Sequence, residues 1–181
     1  ANTTADNNTA VGDSALKDNT TGSQNTAVGC DALANNTTAG ANTAVGRNSM
    51  RDTTTGSDNT AIGESSLREN ETGCCNAVLG ENAMTLNTSG CYNTSIGSLS
   101  LHNNTTANEN IAVGYSSLCS NTTGAENTAV GSYALDANTT GAKNTSLGSQ
   151  SLSANTTGEK NTAVGSNALR STTTGPNNTG V

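Results

Sequence analysis

One histidine, His102, and five cysteines, Cys30, Cys74, Cys75, Cys91 and Cys119, supply all the imidazole and thiol chemistry in this chain of 181 residues. A lone histidine has no second imidazole with which to build a dyad or a histidine-based metal cluster, and His102 reads as a solvated surface residue. The 14 aspartates and glutamates are scattered without a recurring pair, so no general acid–base constellation emerges. Cys74 and Cys75 are adjacent, which is not zinc-site spacing. No catalytic residue, cofactor site or metal site is expected, and the chain is not expected to be an enzyme. The chemistry left is that of asparagine and threonine: modification at Asn-x-Ser/Thr sequons, or ordered arrays of hydroxyls.

A tandem repeat positions these residues. Asn-Thr-Ala-Val-Gly or a close variant begins at residue 8 and returns at 25, 42, 59, 76, 93, 110, 127, 144, 161 and, truncated, 178, always 17 residues on. The first position is always asparagine, the fifth is glycine in every complete repeat, and the eighth is alanine or serine. The fourth is always aliphatic: Val11, Val28, Val45, Ile62, Leu79, Ile96, Val113, Val130, Leu147 and Val164. The ninth is Leu or Met: Leu16, Leu33, Met50, Leu67, Met84, Leu101, Leu118, Leu135, Leu152 and Leu169. Charges fall at the sixth, seventh, tenth, eleventh, sixteenth and seventeenth positions, with Glu71 the one exception.

This pattern describes the coil of an all-β parallel solenoid. The fourth and ninth positions are expected to stack as two inward aliphatic ranks, with small residues at the third and eighth letting the layers approach. Glycine at the fifth marks a bend where a side chain would clash or φ must be positive, and Asn-Thr-Thr-Gly is turn chemistry. Thr, Asn and Gly in every unit disfavour a helical repeat. Ten coils at a rise of ~4.8 Å make a rod of roughly 50 Å. Two large aliphatics per coil form a thin core, so backbone ladders and in-register side chains, the first-position asparagines among them, must carry much of the stability. A thin core also suggests apolar surface shared with other chains.

The register gives the candidate sites their geometry. Cys74 and Cys91 both occupy the sixteenth position of successive coils, within disulfide range; a rung-to-rung disulfide and two free thiols are both open. Sequons recur at the twelfth position, at Asn19, Asn36, Asn70, Asn87, Asn104, Asn121, Asn138 and Asn155, with Asn2 in the first partial coil; Thr53 and Thr172 replace asparagine in two repeats. Further sequons sit at Asn7, Asn35, Asn93, Asn103, Asn144 and Asn177. They are either incidental to a good turn or, in a glycosylating host, a rank of glycans down one edge. Threonine ranks raise ice binding, but Thr20 and Thr21 are consecutive and would face opposite sides. A Thr-x-Thr pair occurs only at Thr53/Thr55 and Thr172/Thr174.

The stretch Asn25-Thr-Ala-Val-Gly-Cys-Asp-Ala32, with its Val28-Gly29-x-x-Ala32 core, resembles the head repeats of trimeric autotransporter adhesins. The longer unit, with Ala-Leu and Asn-Thr-Thr-Gly, also looks like repeats of phage, marine-bacterial and large-virus fibre proteins. The resemblance implies a left-handed parallel β-roll, three chains per head, and an extracellular, cell-surface or virion-surface location. The unit here is longer than the adhesin's.

The expectation is therefore one repetitive domain over 1–181, with a partial coil at 1–7, ten repeats over 8–177 and a partial coil at 178–181. No capping repeat is visible, which points to a segment of a longer chain or a subunit that stacks end to end. The expected role is a structural shaft or head of an extracellular fibre, with the chain itself as partner in a homotrimer or end-to-end fibre. The alternative is a ligand-binding solenoid for glycan, receptor or ice. A net charge of −7 offers no basic stripe for nucleic acid, and no apolar run approaches the ~20 residues of a membrane span.

Overall fold

Thr-Ala-Val places two β-branched residues around a small one with a stop on each side, and each copy forms one short strand. The computed structural model describes residues 4–181. Its strands are β1 (Thr9–Val11), β2 (Thr26–Val28), β3 (Thr43–Val45), β4 (Thr60–Ile62), β5 (Ala77–Leu79), β6 (Thr94–Ile96), β7 (Ile111–Val113), β8 (Thr128–Val130), β9 (Thr145–Leu147), β10 (Thr162–Val164) and β11 (Thr179–Gly180). They form one parallel sheet in chain order, each residue paired with its equivalent in the next repeat, as in Thr26↔Thr43, Ala27↔Ala44 and Val28↔Val45. The rest of every coil is turns and bends, and the described residues contain no helix. Backbone bonding from coil to coil continues through the turns: Gly29 N donates to Val11 O at 2.8 Å, Leu33 N to Ser49 O at 3.1 Å and Thr20 N to Thr37 O at 2.9 Å. The chain is thus an all-β parallel solenoid of about ten turns.

Only one of the two expected aliphatic ranks lies inside. The ninth position is the core: Leu33, Met50, Leu67, Met84, Leu101, Leu118, Leu135 and Leu152 are fully buried, with Leu16 nearly so and Leu169 partly covered. The fourth position, Val11, Val28, Val45, Ile62, Leu79, Ile96, Val113, Val130, Leu147 and Val164, faces outward, a correction to the expected core. Successive residues of a strand point to opposite sides. The third position, Ala27 or Val78 for example, is buried, so the second and fourth must project from the other face. The interior has no room for a second large rank, because the ninth-position side chain already spans it. Third and eighth positions meet across it, and where both are serine they bond: Ser95 Oγ lies 2.6 Å from Ser100 Oγ.

Alternation alone would turn the ninth residue outward after a buried eighth. Left-handed backbone prevents this: Leu33 has φ 50° and Leu101 φ 48°, so Ala32 and Leu33 both enter the interior. The seventh and seventeenth positions are left-handed as well, for example Asn48 at 57° and Glu126 at 59°. Each such non-glycine residue costs about 1–2 kcal/mol, and the bonded coils above and below hold it there.

Two ladders of asparagine stack along the rod, the first-position one unbroken and the twelfth-position one interrupted at Thr53 and Thr172. At the first position, Asn42 N–H donates to Asn25 Oδ1 at 3.0 Å and Asn59 N–H to Asn42 Oδ1 at 2.9 Å, while Asn59 Nδ2 donates to Gly73 O at 2.9 Å. At the twelfth position, Asn104 Nδ2 donates to Asn87 Oδ1 at 2.9 Å and to Ala107 O at 3.1 Å. Asn19, Asn36, Asn70, Asn87, Asn104, Asn121, Asn138 and Asn155 are at most 1% exposed. This overturns them as a glycan rank: each side-chain amide nitrogen is enclosed in the coil and already donates to the carbonyl three residues on, leaving no room for a sugar. Asn93 and Asn144 are buried too; Asn7, Asn35 and Asn177 are exposed and Asn103 half-buried, while Asn2 lies outside the described residues.

Candidate functional site

The outer face of the sheet carries only the second and fourth positions, and no charged residue occurs at either in any coil. Val11, Ile62, Leu79, Ile96, Val130, Leu147 and Val164 are 37–57% exposed, and Ile111 joins them from the second position. Val28, Val45 and Val113 are half-buried. With rungs ~4.8 Å apart and side chains two residues apart along each strand, the result is an uncharged strip about 50 Å long and about 7 Å wide.

The threonine ranks do different work. At the thirteenth position the hydroxyls reach the next coil's carbonyls, as in Thr105 Oγ1 to Thr122 O at 3.1 Å and Thr139 Oγ1 to Thr156 O at 3.1 Å. Thr53 is fully buried, so the Thr53/Thr55 pair is not an exposed array. The second-position threonines share the outer strip with the aliphatic rank.

Register brings Cys74 and Cys91 together. Their sulfurs are 2.7 Å apart, and Cys74 N–H also donates to Cys91 Sγ at 3.0 Å. No S–S bond is present; all five cysteines are thiols. The hydrogen bond to Cys91, helped by burial, pushes the Cys74 thiol up to about 12. Cys75 and Cys30 are exposed; the Cys30 thiol is raised by its hydrogen bond to Asp31. Cys119 is half-buried and raised by desolvation.

His102 is half-buried rather than freely solvated, its Nδ1 lying 2.9 Å from Asn82 O. Among the described residues no three His, Cys, Asp or Glu side chains gather in a way that could hold a metal ion. One open groove of about 560 Å³ lies across the last coils, lined by Tyr133, Asp136, Gln150, Ser153 and Arg170 among others. Tyr133 stands edge-on to Tyr115 with ring centroids 5.3 Å apart, and burial raises the Asp136 carboxyl above the usual carboxylate range.

Comparison with protein-family models, curated proteins and solved structures returns no match.

Proposed function

We propose that the chain is a rigid shaft or head module of an extracellular fibre and that it associates with copies of itself through the outer strip of the sheet. One observation carries the reading: the fourth position is aliphatic in every copy although the single chain leaves it exposed or only half-buried. The charges fall at other positions of the coil, and the sixth, seventh, tenth and eleventh vary from repeat to repeat. An exposed position that never accepts a polar residue behaves like one that is covered in the working molecule. The strip is narrow against the ~800 Å² per partner of a standard interface. That favours closure about an axis, where every chain meets two neighbours, over a simple pair. The trimeric adhesin heads that the repeat resembles supply the expected number, three. The mechanism is mechanical: a loop-poor rod holds its ends apart and resists proteases.

Light scattering tests this. The expected mass is near three chains, falling to one when Ile62→Lys, Ile96→Lys and Val130→Lys are combined, with the circular dichroism spectrum unchanged. A single-chain mass for the unsubstituted protein would refute self-association. A polydisperse mass that survives the three lysines would move assembly to the rod ends.

A second reading, glycan binding, is favoured by the Tyr133 groove, where an aromatic ring stands beside planar polar side chains. It gains the lead on a one-chain mass together with retention on immobilised polysaccharide that Tyr133→Ala abolishes.

A further inference from the structure

The sixteenth position has a rule of its own. In four steps of the rod the side chain there folds back over the preceding coil and accepts its backbone N–H. Ser23 Oγ accepts from Asp6 at 3.1 Å, Ser57 Oγ from Gly40 at 3.1 Å, Asn108 Oδ1 from Cys91 at 2.7 Å, and Cys91 Sγ from Cys74 at 3.0 Å. The fold therefore places Cys91 Sγ over the fourth coil whatever atom stands there, and Cys74 meets it only because the rank is cysteine twice running. Parallel rungs hold their Cα atoms ~4.8 Å apart, inside the ~4.4–6.8 Å that a disulfide spans. Cys75, next in sequence, sits at the exposed left-handed corner of the seventeenth position with φ 57° and follows another rank.

We propose that Cys74 and Cys91 are an oxidative modification site, closed to an inter-coil disulfide by a small-molecule disulfide. Cys91 sulfur, as thiolate, attacks the oxidant, forming a mixed disulfide and expelling one small thiolate. Cys74 sulfur then displaces the second small thiolate from Cys91. Two protein thiols and one small disulfide become one protein disulfide and two small thiols, the two protein protons ending on the expelled sulfurs. The thiolate is the attacking form. Closure therefore accelerates as pH rises through the range in which thiols ionise. The bond ties the fourth and fifth coils in mid-rod, where no chain end can relax it. It does not depend on the fibre reading, because both sulfurs belong to one chain.

The test incubates the full chain with oxidised glutathione, counts thiols and maps peptides by mass. Five titratable thiols are expected to fall to three, with one linked peptide pair containing Cys74 and Cys91 and the mass lower by two hydrogens. Oxidation should raise the unfolding midpoint by about 5–10 °C, since the bond closes a 17-residue loop. Cys91→Ser, in which the hydroxyl can take the Cys74 N–H as Ser57 takes that of Gly40, should keep the fold, hold four thiols through the same treatment and show no shift. Persistence of all five thiols, a bond through Cys75, or glutathione left on Cys74 or Cys91 without internal closure would each overturn the assignment.

Discussion

At the scale of single residues, glycine is required in one rank and merely convenient in another. Gly97 has φ 126°, and a Cβ there would lie 2.6 Å from the carbonyl oxygen of Gly114 in the next coil. Gly90, at the fifteenth position, is just as close to its neighbour, but its φ is not in the left-handed region, and Ala39 and Ala107 already occupy equivalent sites. Gly97→Ala should therefore cost on the order of 3 kcal/mol from strain and overpacking together. Gly90→Ala should cost clearly less, both read as shifts in the urea midpoint at unchanged slope. Equal losses would mean that close approach, and not φ, limits the fifth position. That glycine was legible in the sequence because it never varies. The left-handed backbone at Leu33, Leu67 or Leu135 was not: leucine gives no local sign of it, and only the stacked coils make it bearable.

At the scale of the element, the twelfth-position ladder has two faults, and they prove its worth. Thr53 and Thr172 interrupt it, and the acceptor that would meet each is orphaned: Asn36 Oδ1 and Asn155 Oδ1 have no partner, nor does Thr53 Oγ1. Thr53→Asn would supply an amide to Asn36 and an acceptor to Asn70. It should stabilise the rod by about 1 kcal/mol; a destabilised variant would mean that the second coil pair cannot admit the longer side chain. The sequence concealed this ladder behind turn chemistry, since Asn-Thr-Thr-Gly reads naturally as a solvated turn. A usable signal was present: the twelfth position holds only Asn or Thr and never a charge, unlike the tenth and eleventh just before it. The strand was legible in its location and period, but not in its facing. Thr-Ala-Val puts the large residue where intuition wants the core, and the deciding fact, that leucine already fills the interior, lies five residues further on.

At the scale of the whole molecule, every coil offers the same upper and lower surface, because Asn, Gly, the strand and the backbone carbonyls recur in fixed register. Deleting residues 110–126 would bring Asn127 against Asn93, repeating the bond that Asn110 now makes to Asn93 Oδ1 at 3.0 Å. The shortened chain should keep its circular dichroism spectrum and lose one rung, ~4.8 Å, from its length by small-angle scattering. Stability in such an array is close to a sum over units and their contacts, so only a small drop in the unfolding midpoint is expected. Collapse of the fold would show that particular coils, not the period, hold it together.

The uninterrupted period also bears on how such a rod changes over generations. Tandem near-copies in a gene are places where replication slips, and a slip of one unit here is in frame and structurally silent at both joints. Length thereby becomes a quantity that mutation can dial up or down in whole steps without passing through a broken intermediate. A lineage could retune the length of the rod faster than it could alter any one of its surfaces.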